Sequence, residues 1–293
     1  MPAADLRDQP IQRIVAQEQQ HERHVMDFHS TLNYSGPKNG DPPQMNVPVM
    51  IHDARITDGV VRDPGDTTDL LLNGKGFMLV RSPSKVQDWS DPEEVARIHY
   101  NEALELTRTL LPGFSFQPIT SHTFREEKHK DHFWKDGIQY GPAAEFVHND
   151  YADFLTEDGK SVEKSFPEVM GMPSGSRVVG INIWRSVTET PLERFPLTVC
   201  DRTSVELDDL VYELNPNAPK PFNAHYCRPN DGQRWNYYSA MTKDEALVFT
   251  TYDSAPADGN LFRPTLHSAV RIPDTEHAMK RVSVELRFFG SAR

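Results

Sequence analysis

The sequence is poor in cysteine, in basic residues and in long apolar runs. Cys200 and Cys227 are the only cysteines among 293 residues, which is too few for a disulfide framework and leaves no thiolate spacing typical of a metal site. Lysine and arginine total 31 against 43 acidic residues, and the net charge of −12 argues against binding to a phosphate backbone. We therefore expect two reduced structural thiols and no nucleic-acid partner.

The apolar runs are all too short for a membrane span. The N-terminus also lacks the basic start and apolar stretch of a secretory signal. These absences predict a cytoplasmic protein with no membrane partner. What the chain does contain is 12 histidines and many short runs of β-forming residues.

Residues 1–45 differ in composition from the rest of the chain. They are rich in Gln, Glu, His, Arg and Pro, and residues 35–43 form a run of turn-forming residues. We interpret this segment as a polar N-terminal arm that is solvated, with a lid or a homodimer contact as the alternatives. Residues 46–293 are expected to form a single domain.

One long helix and a series of strands are expected beyond the arm. Asp91 followed by Pro92 is typical of a helix start, and Pro112 ends the apolar periodicity. Asn73-Gly74, between two short apolar runs, predicts a hairpin. Further strands are expected at residues 144–147, 178–184, 196–200, 246–252 and 281–289. This order favours a mainly β fold, an antiparallel barrel or double-sheet roll with helices packed outside.

His148-Asn149-Asp150 is the strongest candidate for a metal site. Side chains two residues apart on a strand point to the same side, so the imidazole and the carboxylate can bind one ion. Apolar residues precede the pair and indicate that it lies at the end of a buried strand. His129-Lys130-Asp131 has the same spacing, but it lies in a run of charged residues that is more typical of a solvated surface.

A third ligand must come from a distant histidine. His267 is favoured because a strongly alternating strand follows it, and His225 and His277 are the alternatives. Two histidines and one carboxylate form the metal-binding face of non-haem Fe(II) oxygenases, which leaves positions open for other ligands. The same side chains hold Zn²⁺ in other proteins, so a cupin-like hydrolase or isomerase stays open on this ground.

The last predicted strand has two unlike faces. One face is apolar, and the other carries Arg281, Ser283, Glu285 and Arg287. An unpaired guanidinium is costly to bury. A bound carboxylate would solve this problem, because Arg281 offers a planar fork and Ser283 adds a hydroxyl donor. An internal ion pair of Arg281 with Glu285 is the alternative.

Together these residues resemble the Fe(II)/2-oxoglutarate-dependent oxygenases of the double-stranded β-helix fold. The resemblance implies a jelly-roll, cupin-like core flanked by helices. It also implies that His148, Asp150 and His267 bind iron, and that Arg281 and Ser283 hold the cosubstrate 2-oxoglutarate. The spacing of 14 residues from His267 to Arg281 makes Arg271 and Arg287 the substitutes for Arg281.

A narrower resemblance rests on five short phrases of the sequence. They are Val147-His148-Asn149-Asp150, Asn182-Ile183-Trp184-Arg185, and residues 196–201, 244–249 and 252–254. These phrases are similar to the group that contains fungal AsaB-type hydroxylase/desaturases, endoperoxide-forming oxygenases of meroterpenoid pathways and CmcJ-type proteins of cephamycin methoxylation. The resemblance implies an oxidoreductase that uses O₂ to oxidise a C–H bond of a small-molecule secondary metabolite. Hydroxylation, desaturation, endoperoxidation and rearrangement all stay open.

Two further alternatives follow from the same resemblance. An iron oxidase similar to isopenicillin N synthase would use Arg281 and Ser283 to hold a substrate carboxylate, without 2-oxoglutarate. An accessory partner subunit similar to the CmcJ-type proteins would have no catalytic role, although a complete set of ligands argues against it.

Substrate contacts are expected from Tyr140, Trp184, Arg185 and Arg125. Aromatic packing and surface ion pairs are the alternative roles of these residues. Trp184 and Arg185 are neighbours on a strand and point to opposite sides, so one of them is expected to pack while the other lines the pocket. Asp253 is expected to orient the distal histidine through a hydrogen bond.

Overall fold

A computed structural model describes residues 27–34, 45–117, 120–157, 161–172, 175–215, 222–257, 259 and 261–292. Most of the predicted N-terminal arm lies outside these residues, and the division of the chain at residue 45 stays a prediction. The described part of the arm contains strand β1 (Phe28–Tyr34), which pairs with β2 (Met45–Asp53). Leu32 and Tyr34 are buried, so this stretch packs on the domain and is not the solvated chain that we expected.

Strands dominate the rest of the described chain. The strands after β2 are β3 (Phe77–Arg81), β4 (Phe114–Phe116), β5 (Thr123–Glu126), β6 (Phe133–Lys135), β7 (Ile138–Gly141), β8 (Asn149–Ala152), β9 (Phe154–Leu155), β10 (Val162–Lys164), β11 (Val178–Ser186), β12 (Leu197–Cys200), β13 (Leu210–Asn215), β14 (Phe222–Cys227), β15 (Trp235–Tyr237), β16 (Glu245–Asp253), β17 (His267–Ala269) and β18 (Val282–Ala292). The helices in the same residues are α1 (Ala54–Thr57), α2 (Pro92–Leu110) and α3 (Phe166–Met170). A π-helical turn spans Asp69–Asn73, and 3-10 turns span Arg202–Ser204 and Leu207–Asp209.

Helix α2 confirms the helix predicted from its end signals. The Asp91 carboxylate accepts hydrogen bonds from the backbone N–H groups of Glu93 and Glu94, and Pro92 occupies the first turn. The helix ends at Leu110, directly before the Pro112 region. Within the described residues, no helix combines the length and the apolar character that a membrane span requires.

The hairpin predicted around Asn73-Gly74 is wrong. Residues 69–73 form the π-helical turn, which packs Leu71 and Leu72 into the core. Their carbonyl groups do not join a β-ladder. The Leu71 carbonyl accepts a hydrogen bond of 2.7 Å from the Thr250 hydroxyl, and the Leu72 carbonyl accepts one of 2.6 Å from Arg202.

Two main sheets face each other across the core. The larger sheet has the order β3-β16-β11-β18-β5-β7-β6, with β4 paired to β18, and the smaller sheet has the order β1-β2-β15-β12-β17. Strands β13, β14 and β8 form a third sheet, and β9 pairs with β10. Trp184 and Phe249 of the larger sheet meet Leu197 and Val199 of the smaller one, and α2 covers the outer face of the larger sheet. This arrangement confirms the mainly β, jelly-roll fold with helices outside.

The alternation of β18 decides which side chains enter the interior. Leu286 and Phe288 pack under α2 on the outer face. The alternate residues Ser283, Glu285 and Arg287 therefore point into the space between the sheets. Because Arg287 pairs with Asn182 of β11, polar side chains from two adjacent strands stand side by side there.

Candidate metal centre and active site

Three side chains from two sheets meet at one end of this interior. His148 directly precedes β8, Asp150 lies within β8, and His267 begins β17. Their ligand atoms all lie within 4.8 Å of one another, and the structure shows no other such group of histidine, cysteine and acidic side chains in the described part of the chain. The structure thus brings together the three ligands that the sequence predicts.

A short backbone bridge joins the two histidines. The His148 N–H donates to the His267 carbonyl at 3.1 Å, and the His267 N–H donates to the His148 carbonyl at 2.9 Å. The strand predicted at residues 144–147 is absent, since β8 begins only at Asn149. The ligand pair therefore lies at the start of a strand and not at its end. The residues before it make single hydrogen bonds to separate segments, such as Val147 to the Asn33 carbonyl.

Both imidazoles are oriented by backbone carbonyl groups. His148 Nδ1 lies 2.9 Å from the Phe146 carbonyl, and His267 Nδ1 lies 3.1 Å from the Thr265 carbonyl. A carbonyl can only accept, so each Nδ1 carries the proton and each Nε2 keeps its lone pair for a metal. Burial lowers the pKa of His148 to about 4 and also lowers the pKa of His267. Two neutral imidazoles and one carboxylate are a donor set that fits Fe(II).

Asp150 is held in place by two residues. Arg287 donates from Nε to Oδ2 at 3.0 Å and from Nη2 to Oδ1 at 3.3 Å, and the Asn182 amide donates to Oδ2 at 2.7 Å. Burial opposes ionisation of Asp150, but the Arg287 guanidinium holds the pKa of this carboxyl well below its usual range. The carboxylate is therefore ionised, with Oδ1 at 4.0 Å from His148 Nε2.

Asn182 and Glu285 complete this network. The Thr251 hydroxyl donates to Asn182 Oδ1 at 3.1 Å, which turns the amide nitrogen toward Asp150 and Glu285. Glu285 Oε1 lies 2.7 Å from Arg287 Nη2, so one guanidinium serves two carboxylates. Sequence reasoning treated Arg287 only as a substitute for Arg281. Strand alternation placed Arg287 on the polar face, but nothing in the sequence connected it to Asp150, which lies 137 positions away.

Arg281 is buried on the same face, and no acidic side chain of the described residues forms an ion pair with it. Only 3% of its surface is exposed. Nε donates to the Ser283 hydroxyl at 3.1 Å, Nη1 donates to the Phe195 carbonyl at 2.8 Å, and the guanidinium lies 4.9 Å from the centre of the Trp184 ring.

The charge of Arg281 is not balanced by any carboxylate within ion-pair distance among the described residues. The alternative ion pair with Glu285 is not formed, because Glu285 pairs with Arg287. Burial, with Arg125 nearby, lowers the pKa of Arg281 to about 9. A buried guanidinium that lacks a carboxylate partner is stabilised by a bound anion.

The other candidates for these roles are engaged elsewhere. Arg271 is exposed and pairs with Glu145 at 2.9 Å, and Arg287 holds Asp150. Of the alternatives to His267, the ring of His225 contacts the Asn149 amide at 3.2 Å behind the triad, and His277 is exposed. Arg281 is therefore the one of the three candidate arginines that remains open to an added carboxylate.

The predicted substrate contacts divide between the two sides of the larger sheet. Trp184 faces the interior, and Arg125 pairs in register with Ser283 on the same face. Arg185 instead donates to the carbonyls of Ser82 and Lys243 at 2.6 and 2.7 Å. It points away from the triad because it follows Trp184 on β11. The predicted substrate contact of Arg185 is therefore wrong.

Two more predictions need correction. Tyr140 stacks on Phe133 with ring centres 5.2 Å apart and packs beside Phe124 on the outer face, so it does not reach the interior. Asp253 does not orient the distal histidine. It accepts hydrogen bonds of 2.9 and 2.6 Å from Arg177, while the Thr265 carbonyl fills the orienting role.

Known proteins resemble this chain in sequence and in fold. It is 26% identical over 238 residues to the alpha-ketoglutarate-dependent dioxygenase phiK of a fungal species, covering 75% of this chain and 78% of that protein. It is also 26% identical over 253 residues to the hydroxylase/desaturase CTB9 of Cercospora beticola, with coverage of 77% and 73%. These relatives confirm the resemblance to the fungal hydroxylase/desaturase group.

A solved structure and a family description complete the comparison. The iron and alpha-ketoglutarate-dependent endoperoxidase NvfI superposes with a TM-score of 0.68 and 20% identity, over 92% of this chain and 99% of that one. This likeness confirms the fold. The family described as Oxidoreductase/YMDC permease-like domain matches residues 17–289. Because that match spans nearly the whole sequence, the chain belongs to the Oxidoreductase/YMDC permease-like domain family.

Proposed function

We propose that the protein is an Fe(II)- and 2-oxoglutarate-dependent oxygenase that oxidises a C–H bond of a small-molecule secondary metabolite. The names of its relatives, a dioxygenase, a hydroxylase/desaturase and an endoperoxidase, support this class of oxidoreductase. Those names span several outcomes, and the proposal covers hydroxylation, desaturation, endoperoxidation and rearrangement. A cytoplasmic location stays a prediction.

In this proposal the iron is held by His148, Asp150 and His267. Iron bound there would supply the oxidising chemistry together with O₂ and 2-oxoglutarate, which would be converted to succinate and CO₂. The protein prepares the ligands for this task. Carbonyl groups fix both imidazole tautomers, and Arg287 and Asn182 hold the carboxylate in one orientation.

The observation that carries the 2-oxoglutarate requirement is the buried cation of Arg281. Its Nη2 has no hydrogen-bond partner among the described residues, and no carboxylate there balances the charge. A dicarboxylate cosubstrate supplies an anion for this group. Ser283, already 3.1 Å from Arg281 Nε, supplies a hydroxyl beside it, and the Trp184 ring shields one face of the guanidinium.

Three alternatives have different requirements for the triad, for Arg281 or for the cosubstrate. A non-redox cupin-like enzyme uses the triad but has no need of a buried cation. An accessory subunit has no need of a preorganised triad. An iron oxidase without 2-oxoglutarate would use Arg281 for a substrate carboxylate, and it separates from our proposal only by its cosubstrate.

The proposal is tested by succinate formation. Purified protein with Fe(II), 2-oxoglutarate and O₂ is expected to form succinate slowly even without a primary substrate, and Arg281→Gln is expected to abolish this at low 2-oxoglutarate. Arg271→Gln is the matched control, since its guanidinium pairs with Glu145 at the surface. Succinate formation that is absent from the wild type, or equal in both variants, contradicts the assignment.

A further inference from the structure

A cleft of 340 Å³ opens beside the triad. Arg287, which holds Asp150, forms part of its lining, and so does Tyr151, which follows Asp150 in β8. The volume falls within the range of small-molecule sites. The cleft therefore adjoins the metal ligands and has the size of a ligand pocket.

The lining of this cleft is partly polar and partly apolar. The polar side chains come from the segment that leads into β5, and they are Gln117, Thr120, Ser121, His122 and Thr123. The apolar surface comes from several segments, and its residues are Trp134, Tyr151, Met172 and Phe289. Such a lining suits a small molecule that carries polar groups on an apolar skeleton.

The two charged side chains of the cleft, Glu285 and Arg287, differ in how far the protein uses them. Each nitrogen of Arg287 already donates to a protein oxygen, Nε and Nη2 to Asp150 and Nη1 to the Thr123 hydroxyl at 2.8 Å. Glu285 is engaged through one oxygen. Its Oε1 lies 2.7 Å from Arg287 Nη2 and accepts from the Asn182 amide at 3.1 Å.

The second oxygen of Glu285 faces the cleft. Glu285 lines the cleft with 9% of its surface exposed, and it shares a side of the sheet with Thr123, its register partner on β5. Oε2 has no hydrogen-bond partner among the described residues, yet it is not one of the fully buried polar atoms that lack a partner. Oε2 is therefore open to a ligand in the cleft.

A hydroxyl group is the ligand group that fits this oxygen. Burial raises the pKa of Glu285, and the Arg287 guanidinium opposes that shift. A hydroxyl donates to an ionised carboxylate and accepts from a protonated one, so it fits both forms. A ligand carboxylate would instead add a negative charge beside Glu285 and Asp150, which already share one guanidinium.

We propose that this cleft binds a neutral small molecule through a hydroxyl group that is hydrogen-bonded to Glu285 Oε2. Glu285 is then a specificity-determining residue. Glu285 Oε1 and Asp150 Oδ2 accept from the same Asn182 nitrogen, so the carbon atoms next to the bound hydroxyl lie near the metal ligands. Identification of the bound molecule as the substrate rests on the proposed function. The binding itself does not, because it needs neither iron nor 2-oxoglutarate.

The test compares 2-naphthol with 2-methylnaphthalene, two flat probes in which a hydroxyl group replaces a methyl group. Equilibrium dialysis against the full chain without iron gives the ratio of the two affinities. Relative to the wild type, this ratio is expected to fall about 10-fold in Glu285→Ala, the value at which the ranges for neutral and charged hydrogen bonds meet. It is expected to fall less in Glu285→Gln, because the amide can still bond to a hydroxyl.

Glu245→Ala is the matched control. Glu245 is also 9% exposed and pairs with an arginine, Arg55 at 2.8 Å, but it does not line the cleft. This variant is expected to keep the wild-type ratio. A wild-type ratio in Glu285→Ala, an equal fall in Glu245→Ala, or a wild type that binds neither probe overturns the proposal. Failure of the iron chemistry instead shows as absent succinate formation, with the dependence of the probe ratio on Glu285 intact.

Discussion

Two segments of this chain share the spacing His-x-Asp and have opposite surroundings. His148 and Asp150 begin a strand in the interior, where His267 approaches from the other sheet. His129 and Asp131 lie in the turn region between β5 and β6, with Asp131 exposed. His129 Nε2 lies 3.8 Å from Glu126 at the surface, and no third ligand reaches the pair in the described structure.

Spacing alone therefore provides only part of a metal site. A two-residue spacing places two ligands on the same side wherever the backbone is extended. The third ligand and the hydrogen bonds that hold the Asp150 carboxylate come from distant parts of the chain. Arg287 and Asn182 hold Asp150 from other strands, and the carbonyls of Phe146 and Thr265 orient the histidines that lie two residues further along the chain.

Removing a ligand from the buried pair is expected to have the largest effect. His148→Ala or Asp150→Ala leaves two of three protein ligands. Loss of a hydrogen bond that supports a ligand lowers metal affinity about 10- to 100-fold, and loss of a ligand itself should lower Fe(II) affinity by more than that. Anaerobic Fe(II) titration measures the change. Asp131→Ala is the matched control at the exposed pair and should bind Fe(II) as the wild type does. Equal affinities in Asp150→Ala and Asp131→Ala would remove the distinction between the two segments.

The second-largest effect is expected at Arg281, the buried cation that is proposed to bind 2-oxoglutarate. Arg281→Gln removes a charged donor, and the KM for 2-oxoglutarate should rise about 10- to 150-fold, the equivalent of about 1.5–3 kcal/mol for a hydrogen bond to a charged group. Fe(II) affinity should change little. Succinate formation at varied 2-oxoglutarate measures this, and an unchanged KM would move the role to another arginine.

A smaller loss is expected when the support of Asp150 is weakened. Arg287→Lys keeps the charge but loses the planar fork, so Fe(II) affinity should fall by about 10-fold. Arg177→Lys is the control, because Arg177 binds Asp253 with the same two-point geometry and touches no ligand. If both variants bind Fe(II) equally well, the contact of Arg287 with Asp150 does not support the metal.

The smallest effect on Fe(II) binding is expected at His129 and Asp131, which lie near the surface. A variant with both His129→Ala and Asp131→Ala should lose only about 1–2 kcal/mol of stability, because the half-buried His129 ring also packs against Phe133, and it should keep wild-type Fe(II) affinity. Thermal unfolding and Fe(II) titration check the two parts. A loss of metal in this variant would show that the surface segment takes part in binding.

The sequence predicted those features that short-range rules determine. Asp91 and Pro92 marked the start of α2 because capping needs only neighbouring residues. Alternation in β18 placed Arg281 and Ser283 on one polar face for the same reason. The grouping of His148, Asp150 and His267 was expected from the motif together with the resemblance, and their role as metal ligands stays a prediction.

Features that depend on distant partners were missed. Residues 69–73 form a π-helical turn because Arg202 and Thr250 satisfy their carbonyls, and neither partner is visible locally. Arg185 and Tyr140 were misplaced because their side of the sheet is decided by strand pairing.

The buried segment around His148 and Asp150 is expected to hold iron together with 2-oxoglutarate. The most direct measurement is the visible absorption spectrum of the protein with Fe(II) and 2-oxoglutarate in the absence of O₂. We expect a weak charge-transfer band in the wild type and in Asp131→Ala, and its loss in Asp150→Ala. A wild-type spectrum without this band, under conditions where Fe(II) is bound, would contradict the account.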